Sequence, residues 1–188
     1  MDDIVRRVRG SVHLLMLLIT SFLLGSPVGS SPEGRVLHQL TSVLAPYGIE
    51  TRWGHPEEPQ GDVVRLLPLD AFQGTPSFAA SPSWEDEFLD GMDEAVVLPN
   101  AKRAFLSFTE ADLESAMVIK TALERQLGYD VFAYRSLGRS QPWTTPRRAG
   151  TYFAQANVRL VVDTPASRRS SGVAFEKRMA RLQSRRNS

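Results

Sequence analysis

Cysteine is absent from the 188-residue chain, and histidine occurs only at positions 13, 38 and 55. Without cysteine the chain forms no disulfide, no thiolate zinc site and no lipid attachment through sulfur. The three histidines have no second metal-ligating residue type at a useful spacing, so we expect no metal site. A Ser–His–Asp hydrolase is disfavoured as well, because no histidine follows residue 55 and no nucleophile elbow is visible.

Charge is divided between two halves of the chain, although the net charge is only +1. Residues 31–100 carry three basic and twelve acidic residues, a net charge of −9. Residues 101–188 carry sixteen basic and seven acidic residues, a net charge of +9. Opposed halves of this kind often dock on each other or meet different partners.

Residues 1–30 have the parts of a secretory signal peptide. Three arginines precede an apolar run at 12–24, and small residues follow it up to Ser30. The run of thirteen residues is shorter than the roughly 20 that span a bilayer. We therefore expect an exported protein, periplasmic or secreted. The alternatives are an N-terminal membrane anchor, with membrane contact through 12–24, and a buried N-terminal helix.

Residues 31–100 form an acidic, proline-rich segment with no catalytic motif. The sequence predicts a short amphipathic helix before Pro46, an acidic helix at 84–92, and strands at 48–53, 62–67 and 94–99. A segment of this kind is typical of a scaffold or a docking region.

Residues 101–188 alternate between strand and helix patterns, which predicts an α/β fold with a parallel sheet. The strands are predicted at 104–108, 129–134 and 158–164. Thr109 is a candidate N-cap for the first helix, with Asp112 three residues later, and Gly128 ends that helix. Ligands bind beyond the carboxyl ends of parallel strands, so the three loops there predict a crevice.

Three sequence motifs in residues 101–176 resemble those of a Toll/interleukin-1 receptor (TIR) domain. The stretch "AFLSFTEAD" is similar to the first box of the family, and "GYDVFAYRSLGRSQPW" is similar to its second strand and following loop. The stretch "VRLVVDTPASRRSSGVAFE" is similar to its third strand and helix, where a serine stands five positions before a glutamate, as Ser171 and Glu176 do. The resemblance implies a TIR or flavodoxin-like fold, here cut short after Glu176.

Some TIR domains cleave NAD+ at the nicotinamide–ribose bond, and the resemblance implies that Glu176 would contact the ribose and support the cationic transition state. It also implies that Phe108, Thr109 and Trp143 would line the nicotinamide pocket, with Ser171 nearby. NAD+ would be a substrate, and no bound cofactor is expected. Three features depart from the family: Gly172 replaces a tryptophan, the loop after the second strand lacks a clear Arg-Asp…Pro-Gly pattern, and two further strands and helices are lacking.

The residues also have plainer interpretations. A glutamate near a helix N-terminus is favoured by the helix dipole alone, and Trp143 fits a packed loop residue. The basic C-terminal cluster fits a solvated face, and nucleic-acid binding is disfavoured because no aromatic residues are interleaved in it.

The leading hypothesis is an exported, TIR-like interaction module in an envelope or secretion-related assembly, with a protein partner or self-association. NAD+ is expected to be scarce outside the cytoplasm, so NAD+ hydrolysis through Glu176 is the alternative. A three-stranded parallel sheet leaves an apolar edge open, and edges of this kind are usually covered. We therefore expect residues 48–98 to add at least one strand to the sheet.

Overall fold

The computed structural model describes residues 31–53, 63–73, 82–96, 101–133 and 145–186. The expected signal peptide at 1–30 and Trp143 lie outside these residues. The helices are α1 (Pro32–Leu44), α2 (Pro82–Asp93), α3 (Leu113–Leu127), α4 (Pro146–Gln155), α5 (Pro165–Arg168) and α6 (Ser171–Arg186). The strands are β1 (Ile49–Thr51), β2 (Val64–Pro68), β3 (Arg103–Ser107), β4 (Asp130–Ala133) and β5 (Val158–Asp163). Short 3₁₀ turns follow α1 at Ala45–Tyr47 and precede α3 at Glu110–Asp112.

The five strands form one mixed sheet in the order β1-β2-β5-β3-β4. Strands β5, β3 and β4 are parallel, as the sequence predicted. The completed sheet is mixed and not parallel throughout, because β2 from the N-terminal half runs antiparallel to β5, with Leu66 opposite Val162. An all-apolar strand pattern does not encode direction, so the sequence left this point open.

The N-terminal half supplies two strands of the sheet, which confirms that residues 48–98 extend it. Strand β2 covers the edge of β5, and β1 pairs with β2 in parallel. The third strand predicted in this half, at 94–99, is not present at 94–96, and the rest of it lies outside the described residues.

One face of the sheet is covered by α1 and α3. Ser31 caps α1 by accepting a hydrogen bond from the backbone N–H of Gly34 at 3.1 Å, and Pro32 fits the first turn. The predicted capping box of Thr109 and Asp112 is present before α3, and Gly128 ends α3 at φ +68°. Both helices bury apolar stripes against the sheet, and the stripe of α1 is rich in leucine.

The opposite face is covered by α2, α4 and α6 through a cluster of aromatic rings. Phe88 of α2 meets Phe153 of α4 edge-on at 5.4 Å between centroids, and Phe175 of α6 at 5.3 Å. Phe105 of β3 packs against Phe153 at 5.0 Å. Aromatic pairs at these distances stabilise a fold by more than the burial of their apolar area alone. The ring cluster therefore helps to hold α2, α4 and α6 against the sheet.

Two glycines let α2 and α4 cross at backbone contact. A Cβ atom added to Gly150 would lie 1.9 Å from the carbonyl oxygen of Phe88, and one added to Gly91 would lie 1.8 Å from that of Arg147. The hydroxyl of Thr151 donates to the carbonyl oxygen of Gly91 at 3.0 Å. No side chain fits between these two helices at the crossing.

Opposite charges meet where α2 joins the C-terminal half. Arg178 of α6 donates to Glu85 at 2.8 Å, and Arg147 of α4 forms a fork with Glu94. The acidic and basic halves of the chain therefore dock on each other, as their charges indicated. Among the described residues, no helix is long and apolar enough to cross a membrane.

Candidate functional site

The chain reverses its direction of winding between the neighbouring strands β3 and β5. After β3 it crosses to the face that α1 and α3 cover, and after β5 it crosses to the opposite face, where α6 lies. Adjacent parallel strands whose connections leave to opposite faces open a crevice at their carboxyl ends, where ligands bind in open α/β sheets. The residues at the ends of β3 and β5 are therefore the candidate site.

Ser107 and Glu176 meet at this place. Ser107 is the last residue of β3, and strand alternation puts it on the same face as Phe105, toward α6. Its hydroxyl donates a hydrogen bond to a carboxylate oxygen of Glu176 in α6. Both side chains are buried, with 1% of Ser107 and 5% of Glu176 exposed.

Burial raises the pKa of Glu176 from its ordinary value of 4.5 to about 7. The hydrogen bond from Ser107 acts in the opposite direction, because it favours the charged carboxylate and lowers the pKa. Near pH 7 the carboxyl therefore exists in both protonation states. A desolvated carboxyl with a perturbed pKa at the carboxyl end of a parallel strand is characteristic of functional sites.

A second buried pair lies at the end of β5. Asp163 accepts two hydrogen bonds from the guanidinium of Arg168, at 2.6 and 2.7 Å. Thr164 and Ser167 form a reciprocal capping box around the short helix α5, which carries Arg168. The fork fixes the turn from β5 into α6, and thereby the start of the helix that carries Glu176.

The other residues predicted from sequence lie around the same turn or in the core. Phe108 is buried in the cluster with α1 and α3. Thr109 caps the first turn before α3 through Asp112, so its hydroxyl is engaged in the fold. Ser171 begins α6, half-buried, five residues before Glu176. Of these residues, Glu176 is the one whose side chain accepts a hydrogen bond from the last residue of β3.

Sequence reasoning missed Ser107, Asp163 and Arg168. Ser107 is the one polar residue of the apolar stretch 104–108. Asp163 is an acidic residue at the end of the largely apolar strand 158–163. Both are signals that a polar group is buried with a partner. No group of three or more His, Asp and Glu side chains in the described ranges could hold a metal ion.

Comparison with known proteins adds no relative: no protein-family model, no curated protein and no solved structure matches this chain. The protein is therefore classed by its own architecture, an α/β fold with a mixed five-stranded sheet and flanking helices.

Proposed function

We propose that this chain cleaves the nicotinamide–ribose bond of NAD+, with Glu176 as the catalytic carboxylate. The observation that carries the proposal is the buried hydrogen bond between Ser107 and Glu176 at the carboxyl end of β3. The strand order of the C-terminal half also supports it. Read from β3 as the first strand, β4, β3 and β5 stand in the order 2-1-3, which flavodoxin-like sheets also have, and a flavodoxin-like fold is what the TIR resemblance implied.

The proposed reaction breaks the bond between C1′ of the ribose and the nicotinamide nitrogen. The bonding electron pair leaves with nicotinamide, which becomes neutral, and the ribose becomes an oxocarbenium-like cation. The Glu176 carboxylate stabilises this cation, as carboxylates do in glycoside hydrolysis. A water molecule then adds to C1′ and gives its proton through Glu176 to solvent. The products are nicotinamide, ADP-ribose and one proton.

Ser107 acts in this scheme as a positioning residue. Its hydroxyl holds the carboxyl of Glu176 and lowers its pKa, so that more of the reactive carboxylate exists at neutral pH. A carboxylate that titrates near 7 matches the pH at which such a group works best.

The test is nicotinamide release from NAD+ by the purified full-length chain. Glu176→Gln keeps the shape and the hydrogen bond but cannot carry charge, so we expect loss of at least a hundredfold in kcat. Glu114→Gln is the matched control, because Glu114 is exposed on α3, on the opposite face of the sheet. Equal release by wild type and Glu176→Gln would rule out the catalytic role.

The second candidate is the interaction module, and one surface favours it. A groove of about 450 Å³ runs between α1 and α3, and its lining includes Tyr47 and Met117, which are 64% and 46% exposed. Exposed apolar groups beside a groove are typical of interaction sites. Glu114 and Arg125 line the same groove, eleven residues apart on α3.

The occupant that fits this groove is a second copy of the chain. Two α3 helices packed antiparallel about a two-fold axis would set Glu114 of each copy opposite Arg125 of the other, around the two Met117 side chains. Sedimentation velocity tests this. We expect a dimer that Met117→Lys dissociates and that Leu182→Lys, at an exposed apolar residue of α6, leaves intact. A wild-type chain that stays monomeric at about 100 μM or more would rule out dimerisation through this groove.

A further inference from the structure

A pocket of about 350 Å³ lies where the start of α1 meets the end of α3. Its walls come from three separate parts of the chain: one stripe of α1, the last turn of α3, and the residues that directly precede β3 and β4. We call it the amino-end pocket, because β3 and β4 begin beside it. Its volume is at the lower end of the range for small-molecule sites, so it suits a small ligand.

Two cationic side chains line the amino-end pocket from different elements. Arg35 lies on α1, and Lys102 lies directly before β3. The ammonium of Lys102 donates to the carbonyl oxygen of Leu127 at 3.2 Å, which holds it beside the end of α3. A guanidinium has five N–H donors and an ammonium has three, so each can hold an anion while it keeps its contacts within the protein.

The lining of this pocket includes no acid among the residues that the structure describes. Two acids adjoin lining residues in the sequence, and both are engaged elsewhere. The carboxyl of Glu33 is hydrogen-bonded by the backbone of Arg159, and Asp130 pairs with Arg103 at 3.5 Å. The positive charge of Arg35 and Lys102 therefore favours an anionic ligand in the pocket.

Tyr129 supplies an aromatic wall and a hydroxyl group. Gly128 ends α3 in the left-handed conformation, and the backbone N–H of Tyr129 donates to the carbonyl oxygen of Leu123 at 3.1 Å, which holds Tyr129 against the end of the helix. Burial raises the pKa of the Tyr129 phenol, and the charge of Arg35 acts in the opposite direction. The hydroxyl therefore stays protonated at neutral pH and can donate to an anion.

The remaining lining is uncharged and mostly apolar. Apolar surface beside fixed cations fits a molecule that has an anionic group at one end and an apolar body at the other. The uncharged lining residues are Pro32, Val36, Gln39, Gln126, Leu127 and Tyr129.

We propose that the amino-end pocket binds a small organic acid, with its anionic group between Arg35 and Lys102 and its apolar body against Tyr129 and Leu127. This site is separate from the one assigned to NAD+ cleavage. Strand β3 begins next to Lys102 and ends at Ser107, so the two sites lie at opposite ends of the same strand. The proposal does not depend on catalysis by Glu176.

The test is titration of the isotope-labelled full-length chain with benzoate, followed by its amide signals in NMR spectra. Benzamide is the neutral probe of the same shape, and phenyl phosphate carries a phosphate on the same ring. We expect benzoate to shift the side-chain amide signals of Gln39 and Gln126 and to bind more tightly than benzamide. Tighter binding of phenyl phosphate than of benzoate would assign the anionic group as a phosphate, and weaker binding would assign it as a carboxylate.

Substitutions of the two cations locate the binding. Lys102→Gln and Arg35→Gln should each weaken benzoate binding roughly tenfold, because a hydrogen bond to a charged group is worth that much. Lys102→Arg keeps the charge and should retain binding. Arg169→Gln is the matched control, because it removes the same charge at an exposed position beyond the carboxyl end of β5.

Three results would overturn the proposal. The first is that no probe shifts the signals at about 20 mM, where even a millimolar affinity is visible. The second is that benzamide binds as tightly as benzoate. The third is that Arg169→Gln weakens binding as much as Lys102→Gln does. Nicotinamide release is not measured in this test, so none of these results decides the proposal on NAD+ cleavage.

Discussion

Ser107 donates a hydrogen bond to Glu176 across 69 residues of sequence, and both side chains are buried where β3 and α6 meet. The bond joins the last residue of the central strand to the C-terminal helix. It also leaves a carboxyl group in the protein interior, where its ionisation is costly. The pair therefore links the stability of the fold to pH.

We predict that Glu176 makes the protein less stable as pH rises from about 5 to 8. Its folded pKa of about 7 is above the ordinary 4.5, so the folded state binds the proton more tightly than the unfolded state. The stabilisation is complete below pH 4.5 and is lost as pH rises through 7, by about 3 kcal/mol at most. Urea unfolding at pH 5 and pH 8 measures this change.

Glu176→Gln is the control for that measurement. Burial also raises the pKa of Glu33, so wild-type stability carries a second contribution of the same sign. The difference between wild type and Glu176→Gln isolates Glu176. If that difference does not change between pH 5 and pH 8, Glu176 does not titrate as the structure indicates.

A second prediction concerns the crossing of α2 and α4. Gly150→Ala should lower the free energy of unfolding by about 1 to 3 kcal/mol or more, because the added methyl group meets the Phe88 backbone. Gly172→Ala is the matched change in α6, where, apart from the adjoining residues and the helix backbone, the added methyl group would meet only the Ser170 hydroxyl at 3.8 Å among the described residues. It should leave stability unchanged or raise it by up to about 1 kcal/mol. Equal effects of both substitutions in chemical denaturation would contradict the close crossing.

A third prediction compares two ion pairs of the same chemistry. Arg168→Ala leaves the buried Asp163 carboxylate without its two hydrogen bonds from the guanidinium. It should lower the free energy of unfolding by about 3 to 5 kcal/mol. Arg178→Ala breaks the pair with Glu85, in which Arg178 is exposed, and should cost ~1 kcal/mol or less. Thermal unfolding at low and high salt checks both, and salt should weaken only the exposed pair. A small effect of Arg168→Ala would show that the turn after β5 does not depend on the fork.

A fourth prediction concerns the contribution of the N-terminal half to the sheet. A fragment of residues 101–188 lacks β2, which covers β5, and Phe88, which packs between Phe153 and Phe175. We expect this fragment to be insoluble or molten, while the full chain unfolds in one transition. Sharp, dispersed amide signals from the fragment would show that the C-terminal half folds without β2.

Local signals in the sequence predicted most of the elements. The capping pair Thr109 and Asp112, the stop at Gly128 and the apolar strand at 158–164 depend on neighbouring residues, and the structure confirms each of them. The acidic helix predicted at 84–92 is α2. The antiparallel direction of β2 could not be predicted from neighbouring residues. It depends on which strand of the sheet β2 pairs with, and the connection that leads to β2 lies outside the described residues.

The candidate site was predictable only in part. The sequence pointed to Glu176 through its spacing to Ser171, yet the hydrogen-bond donor to Glu176 is Ser107, which the sequence presents as an interruption of a strand. A hydrogen bond between residues so far apart follows from the packing of α6 on β3 and from no local pattern. The same holds for Arg35 and Lys102, which only the packed structure brings to one pocket.

The dependence of nicotinamide release on pH tests the central claim most directly. If Glu176 must be ionised, kcat/KM for NAD+ rises with pH and levels off above an apparent pKa near 7. Ser107→Ala removes the bond that lowers this pKa, so the rise should move to higher pH while the plateau remains measurable. Release that does not change between pH 5 and 8, or that follows the same profile in Ser107→Ala, would contradict a working Ser107–Glu176 pair.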